Sequence, residues 1–397
     1  MISKLYFDKI YNRQDSDATK YEELEEKYGR TDLLPLWIAD MDFCVPRPVT
    51  EALVKAVSSP ILGYTTAPAT FKESIASWLG HRHDWQVEPS EVDFMPGVKK
   101  AIGLCVNYFT RPGDKILIQP PVYHSFRSVI EGNGRVAVTN PLLYAEGHYS
   151  MDFEALEKTI VAERPTMMIV CNPHNPIGLQ WSTDTLRRVA DICSLHNVII
   201  LSDEIYADLV LPGAKHIPTA SVSDTAAAIT VTLGAPSKSF NIPGIASAWT
   251  VVKSPKLRQG FFDWLKASEF DTPPISAIYG TIAAYTHPDC REWLDAMLSY
   301  LRDNAGYAIE YIRANMPGVE AVMPEAGFGL WIDFNRLGLS HDQLSDLLIN
   351  KARVAVSDGA SFGVEGTGMV RLNFGVPRSV LTEGLERISR AVNSLNE

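Results

Sequence analysis

From residue 92 onward the chain alternates short apolar runs with amphipathic segments, and run after run stops at a polar cluster. A run near 92–95 ends at Pro96-Gly97-Val98-Lys99, and one at 115–119 at Pro120-Pro121-Val122-Tyr123. Runs at 166–171, 198–202 and 228–233 end at Asn172-Pro-His-Asn175, Asp203-Glu-Ile-Tyr206 and Gly234-Ala-Pro-Ser-Lys238. Short apolar stretches bounded by Gly and Pro read as buried strands, and the segments between them carry helical periodicity. At 183–196, for example, Leu186, Val189, Ala190 and Cys193 share one face. This alternation predicts an α/β fold, a mostly parallel central sheet with helices on both faces. After residue 288 the pattern changes to a long helix at 291–315, a strand at 329–334 and a helix at 343–351. Short strands at 354–357 and 369–374 and a last helix at 378–395 complete a smaller α+β domain. The expected division is an N-terminal arm joined to the small domain (1–45), a large ligand-binding domain (46–287) and the C-terminal small domain (288–397).

Ahead of the alternating region, helices are expected near 21–28 and 70–83. Between them, Leu34-Pro-Leu-Trp-Ile-Ala-Asp-Met-Asp-Phe43 is an apolar run punctured by two acids. They read as a turn in which an aspartate caps the helix after Pro46.

At 397 residues the chain has room for two domains and a large core. The net charge of −11, without a Lys/Arg stripe, argues against a nucleic-acid partner. No apolar run reaches the roughly 20 residues of a membrane helix, and the charged start does not resemble a signal peptide. These features lead to the expectation of a cytoplasmic protein. The five cysteines, Cys44, Cys105, Cys171, Cys193 and Cys290, lack the spacing of a metal or redox pair, and three lie in apolar segments as small core residues. The nine histidines show no metal-binding pairing, so no metal is expected.

Parallel sheets bind ligands beyond the C-terminal ends of their strands, so the polar clusters are expected to meet. Each has an ordinary reading of its own: a turn glycine, a core tyrosine, an Asn-Pro turn, a solvated acidic turn, a loop lysine. Together they fit one ligand, pyridoxal 5′-phosphate. Its aldehyde needs a lysine whose pKa burial can lower, which Lys238 offers. Its pyridine nitrogen needs a facing carboxylate, Asp203. Asn175 and Tyr206 suit its ring oxygen, and Tyr123 its ring face. The backbone at Gly97, Val98 and Lys99, opening a helix, and the Ser237 hydroxyl suit its phosphate. Arg371, in Val370-Arg-Leu-Asn-Phe374, suits a substrate carboxylate.

Over nearly its whole length the chain resembles the fold-type I pyridoxal-phosphate enzymes, the aspartate-aminotransferase-like fold of class I/II aminotransferases. Within them it is similar to the MalY/PatB subgroup of cystathionine β-lyases, or C–S lyases. The narrower match rests on Leu36-Trp-Ile-Ala-Asp-Met-Asp-Phe43, Gly63-Tyr-Thr65, Cys171-Asn-Pro-His-Asn-Pro-Ile-Gly178, Ser202-Asp-Glu-Ile205 and Ala235-Pro-Ser-Lys-Ser-Phe-Asn241. The resemblance implies a homodimer with its site at the subunit interface. It also implies that Tyr64 reaches the partner's cofactor phosphate, and that the Ala39-Asp40 backbone and Asn175 border an amino-acid substrate. Two positions depart from the subgroup: Tyr206 stands where a histidine is usual, and Lys99 where an apolar residue is common.

The implied reaction is β-elimination from L-cystathionine or another cysteine S-conjugate, giving pyruvate, ammonia and a thiol, with Lys238 moving the α-proton. An aminotransferase would use the same groups, and the spacing of residues does not separate the two. A non-catalytic pyridoxal-phosphate-fold protein is the third reading, opposed by the joint presence of Lys238, Asp203, Asn175, Tyr123 and Arg371.

Overall fold

The computed structural model describes residues 4–145 and 147–396. Its centre is a seven-stranded sheet: β1 (Val92–Met95), β2 (Lys115–Ile118), β3 (Val136–Thr139), β4 (Met167–Cys171), β5 (Ile199–Asp203), β6 (Thr230–Gly234) and β7 (Ala248–Val251). The spatial order is β1-β7-β6-β5-β4-β2-β3. The β2–β6 pairings are parallel, whereas β7 runs antiparallel to both its neighbours.

Alternation along the strands sorts side chains to two faces. Ile116, Ile118, Met167, Ile169 and Leu201 pack with Ala101, Ile102 and Cys105 of the helix Val98–Phe109. Leu117, Met168, Val170 and Ile200 pack oppositely, with Leu186, Val189, Ala190 and Cys193 of the helix Thr183–Leu195. Ser182 starts the latter helix, its hydroxyl accepting from the Thr185 amide, the capping chemistry that fixes where helices begin. Both faces are thus covered, as a mostly parallel sheet requires.

A second, four-stranded sheet comprises β8 (Glu320–Ala321), β9 (Gly329–Asp333), β10 (Ser357–Asp358) and β11 (Met369–Asn373), in the order β8-β9-β11-β10. Helices Pro288–Asn315 and Arg378–Asn393 accompany it. The N-terminal arm joins this region directly, since Leu34–Pro35 pairs in parallel with Val354–Ala355.

Several expectations change in detail. The run at 228–233 begins inside a helix, Asp224–Ile229, and the strand starts at Thr230. The helix at 21–28 is two pieces, Thr19–Glu22 and Leu24–Tyr28. The helix at 343–351 is His341–Asp346 followed by a wider π turn, Leu347–Lys351. The strand at 354–357 splits, Val354–Ala355 serving the arm and Ser357–Asp358 the second sheet. Four cysteines, not three, are buried, and Cys44 is exposed. No described helix is long and apolar enough to cross a membrane.

Candidate active site

Register brings the strand-end residues level. Cys171 lies opposite Asp203, and Asp203 opposite Leu233, one residue before the glycine that ends β6. Gly234 is required there because a Cβ would sit 2.3 Å from the Trp249 indole on β7. The chain then turns through Pro236–Ser239, which carries Ser237 and Lys238. Ser239 Oγ donates to Asp208 Oδ2 at 2.7 Å, and Asp208 also meets Trp78 Nε1 and His83 Nε2, each at 2.9 Å. The lysine turn is therefore anchored from behind.

The Lys238 amine donates to the carbonyl of Ala39. Burial pushes its pKa down to about 8, against the opposing pull of Asp40 and with a further push from Arg371. Asp203 is buried at the end of β5, and its Oδ1 accepts from the Ile205 amide at 3.1 Å. Burial raises its carboxyl to about 7. A buried acid held this weakly by its neighbours is suited to a cationic ligand atom.

Arg371 projects from β11, buried, with its guanidinium 4.9 Å from the centre of the Phe362 ring. It donates to Asn175 Oδ1 (2.8 Å), the Trp37 carbonyl (3.2 Å) and Ser357 Oγ (3.1 Å). All three acceptors are neutral, and among the described residues no carboxylate pairs with it. Ala39, His174, Asn175, Tyr206 and Arg371 line one pocket. Tyr206 is buried, and burial raises its phenol pKa. Tyr123, half-buried, follows β2 and meets Phe126 edge-on.

Gly97 adopts φ +102° immediately before the helix Val98–Phe109, where an added Cβ would meet no protein atom within 4 Å. No side chain caps that helix, whose opening turn carries Val98 and Lys99, so its first amides are left for another acceptor, as an anion site requires.

One strand-end residue serves the scaffold, and one expected placement needs correction. Asn172 is scaffold: its amide donates to Ile217 O (2.9 Å) and Thr219 Oγ1 (3.1 Å), tying β4 to a neighbouring turn. Asp40 and Asp42 do not cap the following helix, Arg47–Val57, whose N-cap position is Pro46 and which has no side-chain cap. Both acids instead form ion pairs with the arm, Asp40 with Arg13 and Asp42 with Arg13 and Lys20. Tyr64 is fully exposed and lies outside the cluster within this chain.

Sequence reasoning missed the residues that hold the 38–43 segment in place. Asn373 Nδ2 donates to the Ile38 and Asp40 carbonyls, both at 2.7 Å. Asn241 Nδ2 donates to the Met41 and Phe43 carbonyls, both at 2.8 Å. The available clue for Asn373 was its position two residues from Arg371, hence on the same strand face.

Fold and site together define a member of the class I/II aminotransferase family: the family described as "Aminotransferase class I and II" matches residues 31–388, and the chain belongs to it. It is 38% identical over 387 residues to the cystathionine beta-lyase PatB of Bacillus subtilis, covering 98% of this chain and 100% of that one. It is 31% identical to the protein MalY of Escherichia coli, over 98% of this chain and 99% of that one. Among solved structures, cystalysin from Treponema denticola, which contains pyridoxal 5′-phosphate, superposes with a TM-score of 0.93 at 31% identity, covering 98% and 99% of the two chains. The PLP-bound C–S lyase of Staphylococcus hominis gives 0.89 at 29% identity, covering 97% of each. The fold is therefore the aspartate-aminotransferase-like fold type I.

Proposed function

We propose that this protein is a pyridoxal-phosphate-dependent C–S lyase that cleaves L-cystathionine or a related cysteine S-conjugate to pyruvate, ammonia and a thiol. The observation that carries it is the full-length 38% identity to a cystathionine β-lyase, with Lys238, Asp203 and Arg371 gathered at one end of the sheet.

The donor set fits the cofactor. Lys238 offers an amine with a lowered pKa, Asp203 a buried carboxyl that forms no ion pair among the described residues, and Gly97 an open turn before a helix start without a side-chain cap. In this reading Lys238 would hold the aldehyde carbon, Asp203 the ring nitrogen, Asn175 and Tyr206 the ring oxygen, and Tyr123 the ring face. Gly97, Val98, Lys99 and Ser237 would hold the phosphate. Pyridoxal 5′-phosphate supplies an electron sink that stabilises negative charge at the substrate α-carbon.

The chain's own residues do the rest. Arg371 binds the substrate carboxylate in exchange for part of its contact with Asn175, and Ala39, Asp40 and Asn175 border the substrate. Lys238, as free amine, removes the α-proton and hands it on, a transfer favoured by a pKa near the working pH. A thiolate departs from the β-carbon, and water addition releases the three-carbon remainder as pyruvate and ammonia.

The substrate is a small molecule of the amino-acid class. The active unit is, in the same proposal, a cytoplasmic homodimer divided as 1–45, 46–287 and 288–397, with Tyr64 serving the partner's phosphate site. Val54, Val57, Ile61 and Leu62, exposed like Tyr64, support that reading.

The test is to supply the yellow protein with L-cystathionine and, separately, with alanine or aspartate plus a keto acid. Catalytic pyruvate and ammonia from cystathionine support the lyase. Amino-group transfer to the keto acid as the main turnover would contradict it and point to the reading that Tyr206 favours, an aminotransferase.

A further inference from the structure

The Ala39-Asp-Met-Asp42 segment meets the catalytic lysine on one side and the N-terminal arm on the other. On the arm side, Arg13 Nη2 meets Asp40 Oδ2 at 2.7 Å and Arg13 Nη1 meets Asp42 Oδ1 at 2.9 Å. Lys20 Nζ, wholly buried, meets Asp42 Oδ2 at 2.7 Å. On the lysine side, the Ala39 carbonyl accepts from Lys238 Nζ.

The charges are shared unevenly. Asp42 has two cations and is well neutralised. Asp40 has one, and its Oδ1 is buried with no hydrogen-bond partner. A carboxylate so placed keeps a net negative field, and that field reaches the Lys238 amine, which is seated on the preceding residue's carbonyl.

We propose that Arg13 and Asp40 form a charge clamp on Lys238, in which Asp40 favours the protonated amine seated at Ala39 and Arg13 sets how much of that field the amine feels. The proposal rests on Lys238 being the cofactor-bearing lysine. Arg13 and Asp40 act through the amine and are positioning residues. Three other influences bear on the same amine: burial and Arg371 disfavour its protonation, and Asp203 favours it. Burial raises the Tyr206 phenol, which stays neutral in the working range. The arm thereby has a part in the chemistry, since a catalytic lysine must both take up and release a proton.

The clamp makes opposite predictions for its two members. Asp40→Asn removes the negative charge and should lower the pH at which Lys238 nitrogen titrates. Arg13→Gln unmasks Asp40 and should raise it, and Arg13→Lys should restore the wild-type value. Each displacement should be about half a pH unit or more, as for a charge a few ångströms away in a shielded site.

The measurement is a pH titration of the visible absorbance of the cofactor-loaded protein, with the pH profile of kcat beside it and circular dichroism to confirm folding. Opposite displacements with rescue by Arg13→Lys establish the clamp. Displacements in the same direction, or none while the melting temperature falls, show a merely structural latch and overturn it. A visible band that survives Lys238→Ala unchanged removes the underlying lysine assignment, and the clamp with it.

Discussion

Arg371 Nη1 and Asn175 Oδ1 meet at 2.8 Å, joining a strand of the second sheet to the loop that follows β4. The contact fixes the guanidinium beside the residue expected to touch the cofactor, and its other donors end on neutral oxygens. Arg371→Ala should therefore raise the apparent KM by roughly 10- to 100-fold, the value of about 1.5–3 kcal/mol for a hydrogen-bonded charge. The bound cofactor should stay. Arg371→Lys should recover only part of the loss, because an ammonium lacks the planar fork. Steady-state kinetics with cofactor absorbance checks both, and an unchanged KM would take Arg371 out of the carboxylate role.

Asp203 gives a pH dependence with a definite sign. Its carboxyl lies near 7 in the folded chain, against an ordinary value of 3.8. Between about pH 4 and 7 the folded state thus holds a proton that the unfolded state has lost. This group's contribution to stability falls as pH rises through that window, by at most roughly 1.4 kcal/mol per pH unit. In cofactor-free protein, Asp203→Asn should flatten the fall. Urea midpoints of both proteins at pH 5 and 7 measure it, and parallel behaviour would show that Asp203 ionises freely.

Gly234→Ala should destabilise by about 1–3 kcal/mol, the usual cost of overpacking. The added Cβ would press on the Trp249 ring, which is buried and hydrogen-bonded to Tyr285. A lower melting temperature and a weakened hold on Lys238 are expected. An unchanged melting temperature would mean that the indole moves aside.

Asn373→Ala should cost about 1–3 kcal/mol, because two carbonyls of the 38–40 segment lose their donor in a buried place. The same carbonyl segment seats Lys238, so kcat should drop as well. Asn241→Ala should behave alike at Met41 and Phe43. Full activity in a destabilised variant would separate the segment from catalysis.

What the sequence made legible follows from where each signal resides. Lys238, Asp203 and Asn175 stood out as candidates because strand ends are punctuated locally and a parallel sheet places its ends together. Arg371, mid-strand in the second sheet, stood out only because a substrate carboxylate calls for an arginine. The strand β7 was overlooked because Ala248-Trp-Thr-Val251 lacks the strand–helix rhythm of its neighbours, and it runs the opposite way. The edge strand β3 is short and only partly buried. Arg13, Lys20 and Asn241 were hidden for another reason: they act on a segment 22 to 200 residues away in the chain, and no local pattern reports such a pairing. The two acids at 40 and 42 showed the same limit, since an aspartate near a turn looks alike whether it caps a helix or meets a distant arginine.

The most direct test of the central assignment is borohydride reduction of the yellow protein followed by peptide mass analysis. The cofactor should be fixed on the peptide carrying Lys238, and Lys238→Ala should show neither the fixed mass nor turnover of L-cystathionine. Fixation on another lysine, or undiminished turnover in the variant, would contradict the assignment.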